Sequence, residues 1–383
     1  MYCGFTRVDA LGEAEQMRTS DSEPSSEGKP LEKAKNEFVA EREGNYASNL
    51  EYVLENWIDW TPERVRTLED VSALTMRNYA SHLKQRAHAD DGISDTSART
   101  YYNYVSALLT RSVEVGDLAE NPAEKREAKK PLPSGTTNSA EQQFWSPEQR
   151  RAIMNYVDER ARDAIDEDAT DAFEEVRDRA LIAVLAYSGV RGAEVLADSR
   201  DNRRNGLRWH SVDLENGVIT VLGKNQKREP TPLPEQAVAP LRRLERLLDP
   251  PSGEWPVFPS RHPPSLYDRI EGAGRESPDG DPWEYVLENG IEPPSMSTSG
   301  ARTLLKRLSD EADVPELDAD EYLTLHGARR GVGETLYRER GAVEAQRTLR
   351  HADPKTTSEM YSHIEASEQA EDNTAVFDDE WAI

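Results

Sequence analysis

The chain has almost no cysteine: Cys3 is the single one in 383 residues. An internal disulfide and a cysteine-built metal site are excluded, and a reducing compartment, the cytoplasm, is expected. Long apolar runs are also missing. No stretch approaches the ~18 residues that mark a membrane span, so no membrane partner is expected. The opening MYCGFTRVDALGEAEQ has no charged segment followed by an apolar one, and no signal peptide is expected. Positive charge is scarce. Lys and Arg number 47 against 73 Asp and Glu, a net charge of −26. Partners of a polyanion are ordinarily basic, so this balance argues against nucleic acid unless acidity reflects habitat. A halophilic protein carries surface carboxylates for solubility. At ~1 M salt the Debye length is about 3 Å, distant carboxylates no longer repel a polyanion, and local charge decides.

Local charge departs from the average. Between residues 191 and 230, Arg191, Arg200, Arg203, Arg204, Arg208, Lys224, Lys227 and Arg228 stand against Glu194, Asp198, Asp201, Asp213, Glu215 and Glu229. Acid is depleted there, as it would be on a surface that meets a phosphate backbone.

The length suffices for two domains with cores of their own. Residues 1–30, containing SDSEPSSEG, are expected to be a disordered tail. Residues 31–122 read as a helical domain. NYASNLEYVLENWIDW places Leu50, Val53, Leu54, Trp57 and Ile58 at helical spacing. LEDVSALTMRNYASHLKQRA, residues 68–87, gives a second amphipathic helix. A third follows, with Tyr101, Tyr104, Val105, Leu108 and Leu109 as its apolar stripe, and Asn121-Pro122 closes the domain. Residues 123–143 begin basic and become rich in Pro, Ser, Gly and Thr: a linker, either merely solvated or tracking a DNA backbone. The second domain, 144–383, opens with Ser146-Pro147-Glu148, an N-cap followed by Pro at the first helical position. Helices are predicted near 147–162 and 171–188. Residues 218–222 alternate as a short strand, Gly223 to Gln226 form a turn, and a second strand runs towards Pro234. Pro230 and Pro232 cannot donate to a ladder, so that strand is short or at an edge. The fold class is mainly α with a small antiparallel β-sheet.

Basic residues recur in an order that suggests one chemistry. Arg191 follows Gly189 at the end of an apolar helix, with Glu194 three residues on. Alone this is either a surface arginine with an acidic neighbour or a guanidinium backed by a carboxylate, a preorganised fork for phosphate. Lys224 in the hairpin turn is either a solubilising lysine or a mobile proton donor. Lys227 and Arg228 would be adjacent phosphate contacts. His326 and Arg329 share one helix face. Thr324 as N-cap puts them near the first turn, where the dipole favours an anion. Tyr361 stands ten residues beyond His351, in the polar stretch HADPKTTSEMYSHI. A free phenol ionises near pH ~10 and is a poor nucleophile unless cations surround it. Two arginines, a lysine and two histidines would supply them for attack on a phosphodiester.

This set resembles the tyrosine recombinase family, also called the phage integrase family, which includes the Xer recombinases. The likeness covers nearly all of the chain after residue 30. SGVRGAEVL is similar to the first arginine box, the GK of GKNQKRE to the β-hairpin lysine, HGAR to the His-x-x-Arg box, and LRHADPKTTSEMYSH to the histidine-to-tyrosine segment. Residues 96–122, ending in LAENPA, are similar to the last helix of the core-binding domain. The resemblance implies an N-terminal helical core-binding domain and a C-terminal catalytic domain. It implies Arg191, Lys224, His326, Arg329, His351 and Tyr361 as catalytic residues, Glu194 as supporting acid, and Lys227, Arg228 and Arg330 as DNA contacts. The implied reaction needs no metal or cofactor. Tyr361 forms a 3′-phosphotyrosyl bond, Arg191 and Arg329 clamp the non-bridging oxygens, and Lys224 protonates the departing 5′ oxygen. His326 assists proton transfer with Tyr361, and His351 hydrogen-bonds the phosphate. The implied partner is double-stranded DNA, held in a C-shaped clamp by a homo-tetramer on paired sites. The chain departs from the family pattern at Ala328, where leucine is usual, and at Arg330, often histidine. Residues 198–206 look like an insertion, and the His351 to Tyr361 separation is one residue longer than in Xer-like members. The tail with Val376, Phe377 and Trp381 either docks on a neighbour or is disordered. A type IB topoisomerase relaxing supercoils is the alternative enzyme, disfavoured by the separate helical domain. A DNA-binding regulator without cleavage would have lost catalytic groups, and all six are present.

Overall fold

The computed structural model describes residues 28–89, 91–134, 142–167, 172–223, 226–318, 320–358 and 360–361. Except for residues 28–30, the expected tail lies outside the described residues. The chain divides into two compact units, 1–137 and 138–383.

In the first unit, α1 (Leu31–Ala40), α2 (Gly44–Trp60) and α3 (Ala73–Ala87) all pack on α4 (Asp95–Glu114). Their apolar stripes meet at Leu50, Leu54, Trp57, Met76, Leu83, Tyr102 and Leu109, all fully buried. Hydroxyls set two helix starts. Ser72 Oγ accepts from Thr75 N at 3.1 Å and Ser94 Oγ from Ser97 N at 3.0 Å. The helix expected over 68–87 therefore begins only at Ala73. Residues 68–70 form a separate 3-10 turn, closed by Thr67 N donating to Asp70 Oδ2 at 2.9 Å. On α4 it is Tyr102 that turns inward, while Tyr101 and Tyr104 are half-buried. The Tyr102 hydroxyl donates to Ala123 O at 2.9 Å. Part of the expected linker is also folded. A 3-10 turn at 122–124 and α5 (Arg126–Lys129) lie on α3 and bury Ala123 and Ala128 completely. Their lysines and glutamates face outward and give the stretch its linker-like composition.

In the second unit, α6 (Pro147–Glu167) begins with a reciprocal cap. Ser146 Oγ accepts from Gln149 N at 3.2 Å, and Gln149 Oε1 accepts from Ser146 N at 3.1 Å. Then come α7 (Phe173–Ser188), the single turn α8 (Gly192–Val195), β1 (Val212–Asp213), β2 (Val218–Leu222), β3 (Arg228–Pro232) and α9 (Glu235–Leu248). The unit continues with α10 (Pro263–Gly272), α11 (Pro282–Glu288), α12 (Thr298–Glu311), α13 (Leu325–Arg340) and α14 (Ala342–Leu349). Every residue from Ala180 to Ala186 is fully buried, because α7 is covered by α6, α9 and α13. It ends at Gly189, whose φ of +69° is the left-handed cap that glycine adopts without strain. The sheet is antiparallel in the order β1-β2-β3, with Val218 opposite Pro232 and Leu222 opposite Arg228. Pro230 and Pro232 sit in the edge strand, where their missing donors do least harm. Among the described residues no helix is long and apolar enough to cross a membrane.

Candidate active site

Arg191 occupies extended backbone between Gly189 and α8. Its N–H donates to Glu194 Oε2 at 2.8 Å, and its Nη1 to Oε1 at 2.9 Å. The Glu194 side chain is wholly buried; that of Arg191 is 31% exposed. The carboxylate thus backs the guanidinium from inside and leaves its outer edge to a ligand. Burial alone would raise the Glu194 pKa. The Arg350 guanidinium, the Arg191 N–H and the Arg191 charge overcome it and hold the group below the usual carboxylate range.

Arg329, on α13, is buried. Its Nη1 donates to Gly189 O at 2.6 Å and its Nη2 to Leu349 O. Carbonyls orient the guanidinium without neutralising it. Burial first, then the Arg191 charge, push its pKa down to about 9, so it stays cationic at neutral pH. The Gly189 carbonyl, two residues from Arg191, brings the two cations to one place.

Thr324 caps α13, its Oγ1 accepting from Gly327 N at 3.0 Å. His326, in the first turn, opens to solvent on one side. Partial desolvation first, then Arg330, Arg329 and Arg191, hold its imidazole below the ordinary value. The pKa of His351 is lowered to about 4 by burial first, then by Arg329 and Arg191. Both rings are therefore neutral at pH 7. His351 Nδ1 lies 2.8 Å from the buried Thr357 Oγ1, which leaves Nε2 for a ligand. Each histidine feels the field of both arginines, so these four residues lie close together.

Tyr361 departs from expectation. It is fully buried, not polar in its setting, and packs with Phe144, Tyr337, Leu349 and Met360. Its hydroxyl donates to Arg330 O at 3.3 Å. Burial raises the phenol pKa well above its ordinary value. Arg329 and Arg330 oppose that and Glu334 reinforces it, but the cations do not win. Gly333 makes the berth possible: a Cβ there would lie 1.9 Å from Tyr361 Oη.

Lys224 lies outside the described residues. Lys227 and Arg228 are exposed on the hairpin. Arg330 is half-buried, its guanidinium 6.0 Å from the Phe144 ring centroid, so it faces the tyrosine's berth. The positive charge of residues 191–230 is only partly on offer. Arg208 is buried and donates to Glu292 Oε1 at 2.6 Å and to Glu254 O at 2.9 Å. Residues 198–206 form a closed loop around the buried Asp201, which pairs with Arg203 at 2.8 Å. Sequence reasoning missed Arg350. In left-handed backbone at φ +54°, it donates to Glu194 Oε2 at 2.5 Å and to Thr231 Oγ1. Its place beside His351 was the one available signal.

Residues 146–368 match the model of the phage integrase family, more than half of the chain. A tyrosine recombinase XerC from Xanthomonas campestris pv. campestris (strain B100) is 35% identical over 116 residues, covering 30% of this chain and 33% of that protein. A XerC from Xylella fastidiosa (strain M23) is 28% identical over 172 residues, covering 45% and 49%. The matched stretches span a third to a half of these relatives. The XerH site-specific recombinase bound to palindromic difH substrate, a post-cleavage complex, has a TM-score of 0.57 at 14% identity, covering 86% of this chain and 79% of that one. The Tn1549 transposon integrase in complex with transposon right end DNA has a TM-score of 0.57 at 14% identity, covering 89% and 99%. At such identities these two share the fold with this protein. By its matched length and its fold, the chain belongs to the phage integrase family, that of the tyrosine recombinases.

Proposed function

We propose that this protein is a site-specific DNA recombinase that cuts and rejoins DNA through a 3′-phosphotyrosyl intermediate. The observation that carries the reading is the cluster in which two neutral histidines, His326 and His351, lie in the field of Arg191, backed by buried Glu194, and of the carbonyl-held Arg329. Two fixed cations stabilise the charge that develops on the non-bridging oxygens of a pentavalent phosphate. Tyr361 leaves its berth and attacks the scissile phosphorus. Its proton passes to His326, which is neutral and able to accept it. His351 Nε2 donates to a phosphate oxygen. The bond from phosphorus to the 5′ oxygen breaks as Lys224 protonates the leaving oxygen. Attack by another strand's 5′ hydroxyl reverses these steps and frees Tyr361, so bond energy is conserved and no nucleotide cofactor is consumed. Lys227, Arg228 and Arg330 are assigned to DNA contact. The helical unit within residues 31–122 serves as the core-binding domain and residues 144–383 as the catalytic domain.

The finer parts of the reading are a homo-tetramer on paired sites, action in the cytoplasm, and work at high salt, where a net charge of −26 does not exclude DNA. The test is incubation with a nicked candidate site in high salt, followed by a denaturing gel. A covalent protein–DNA adduct that Tyr361→Phe abolishes while DNA binding persists is expected. Adduct formation by the Phe variant would overturn the assignment of the nucleophile.

A further inference from the structure

Arg204 lies in the 198–206 loop, and its side chain is 13% exposed. Its Nη1 donates to Ala193 O at 3.1 Å and to Leu222 O at 3.0 Å, and its Nη2 donates to Gly223 O at 3.1 Å. Asp201 Oδ2 stands 3.7 Å from Nε. One guanidinium therefore joins three backbone carbonyls from two elements. Ala193 belongs to α8, beside Glu194 and two residues from Arg191. Leu222 ends β2, Gly223 follows it, and Lys224 is next in sequence. The opposite strand is tied to the same place differently. Arg350 reaches Thr231 and Glu229 on β3 and Glu194 on α8.

We infer that Arg204 is a positioning residue: it fixes the end of β2 to α8, and so anchors the chain from which the proposed general acid follows. The inference rests on the proposed role of Lys224. The geometry favours it over a role in charge neutralisation. Arg204 spends three donor contacts on carbonyls, which fix direction and leave its charge in place, and an arginine's planar fork suits three acceptors in one plane. Backbone carbonyls at a strand end are also what must be held if the following residue is to arrive at a defined point. The 198–206 loop then has a purpose beyond spacing, because it supplies a bolt that neither strand contains.

A positioning role predicts dependence on the leaving group. A 5′-thio leaving group departs with little need of a proton, so defects in the general acid vanish on it and defects in the clamp do not. Adduct formation should be compared for the unsubstituted protein, Lys224→Ala, Arg204→Ala and Arg191→Ala on matched nicked sites with 5′-oxygen and 5′-thio leaving groups. Arg204→Ala should be slowed ~10-fold or more on the oxygen substrate and fall within ~3-fold of the unsubstituted protein on the thio substrate. Arg191→Ala should stay slow on both. Arg204→Gln, which keeps a donor for one carbonyl, should show a smaller defect of the same kind and serves if the alanine variant does not fold. Rescue of Lys224→Ala with no rescue of either Arg204 variant would overturn the inference while leaving the general acid in place. Full activity of both Arg204 variants on both substrates would also overturn it. Failure to rescue Lys224→Ala would sink the general-acid assignment, and the inference with it.

Discussion

Gly333→Ala is the sharpest probe of the buried Tyr361, the proposed nucleophile. The added Cβ would lie 1.9 Å from Tyr361 Oη, 2.9 Å from its Cζ and 2.5 Å from Leu349 Cδ1. Neither Tyr361 contact is tolerable. Leu349 gives way by rotation, but the tyrosine ring is held between Tyr337, at a centroid distance of 5.2 Å, and Phe144, at 6.2 Å. We expect the ring to leave. Exposing a fully buried aromatic side chain costs about 2 kcal/mol, and alanine for glycine inside a helix returns about 1 kcal/mol. The net loss is about 1 kcal/mol, or a fall in melting temperature of about 2–4 °C for a unit of this size. Retaining the ring instead would cost about 1–3 kcal/mol of overpacking. Nitration by tetranitromethane, mapped by mass spectrometry, separates these outcomes because it needs an accessible phenol. Tyr361 should react slowly in the unsubstituted protein and rapidly in Gly333→Ala. Adduct formation should rise as well, since the hydroxyl starts outside its berth. A Tyr361 equally protected in both proteins, with unchanged melting, would refute the account of the berth.

Arg191→Ala and Arg329→Ala should each slow adduct formation by ~10²-fold or more, as loss of one transition-state charge contact does; DNA binding in the same gel series should fall far less. His351 makes stability depend on acid. Its folded pKa, about 4, lies below the ordinary 6.5, so the unfolded chain binds the proton more readily between those values. The stabilisation is complete above pH 6.5 and is lost as pH falls towards 4, on the order of 1 kcal/mol after screening of a half-buried ring. His351→Gln should flatten that part of a pH-melting series, and an unchanged slope would contradict the assignment. Limited proteolysis in high salt should cut first between residues 130 and 142 and spare Ala123 and Ala128, which are buried on α3; early cuts inside α6 or α7 would contradict the two-unit division.

Elements governed by local periodicity and caps were legible from sequence. The stripe Leu50, Val53, Leu54, Trp57 is buried on α2, Ser146 caps α6, and Thr324 caps α13. Each of these signals spans a few residues and needs no knowledge of the fold. Ser72, too, carries its signal in a hydroxyl three residues before Thr75, but the leucine and valine before it fit the same stripe, so periodicity alone extends the helix back to residue 68. What was not legible depends on distant partners. Ala123 and Ala128 bury too little surface to leave an apolar pattern, so a folded segment looked like a linker. Arg204 and Arg350 look like any surface arginine until β2, β3 and α8 are brought together. The same holds for charge. Eight basic residues between 191 and 230 suggested an open cationic surface, but Arg204 and Arg208 turn inward to carbonyls and a glutamate.

Tyr361 shows why residue order alone does not establish a catalytic state. Its cations are nearby, and Arg329 does pull its pKa down. Desolvation in an apolar berth outweighs that pull, because a phenolate there would lose water and gain no donor in exchange. The Tyr361 hydroxyl is taken up by the Arg330 carbonyl of α13. In the proposed reaction Tyr361 acts once it leaves Gly333 and regains solvent or the phosphate's hydrogen-bond partners beside the guanidinium pair. The proposed mechanism therefore places a conformational step ahead of the covalent one, and the Gly333→Ala measurements test for that step.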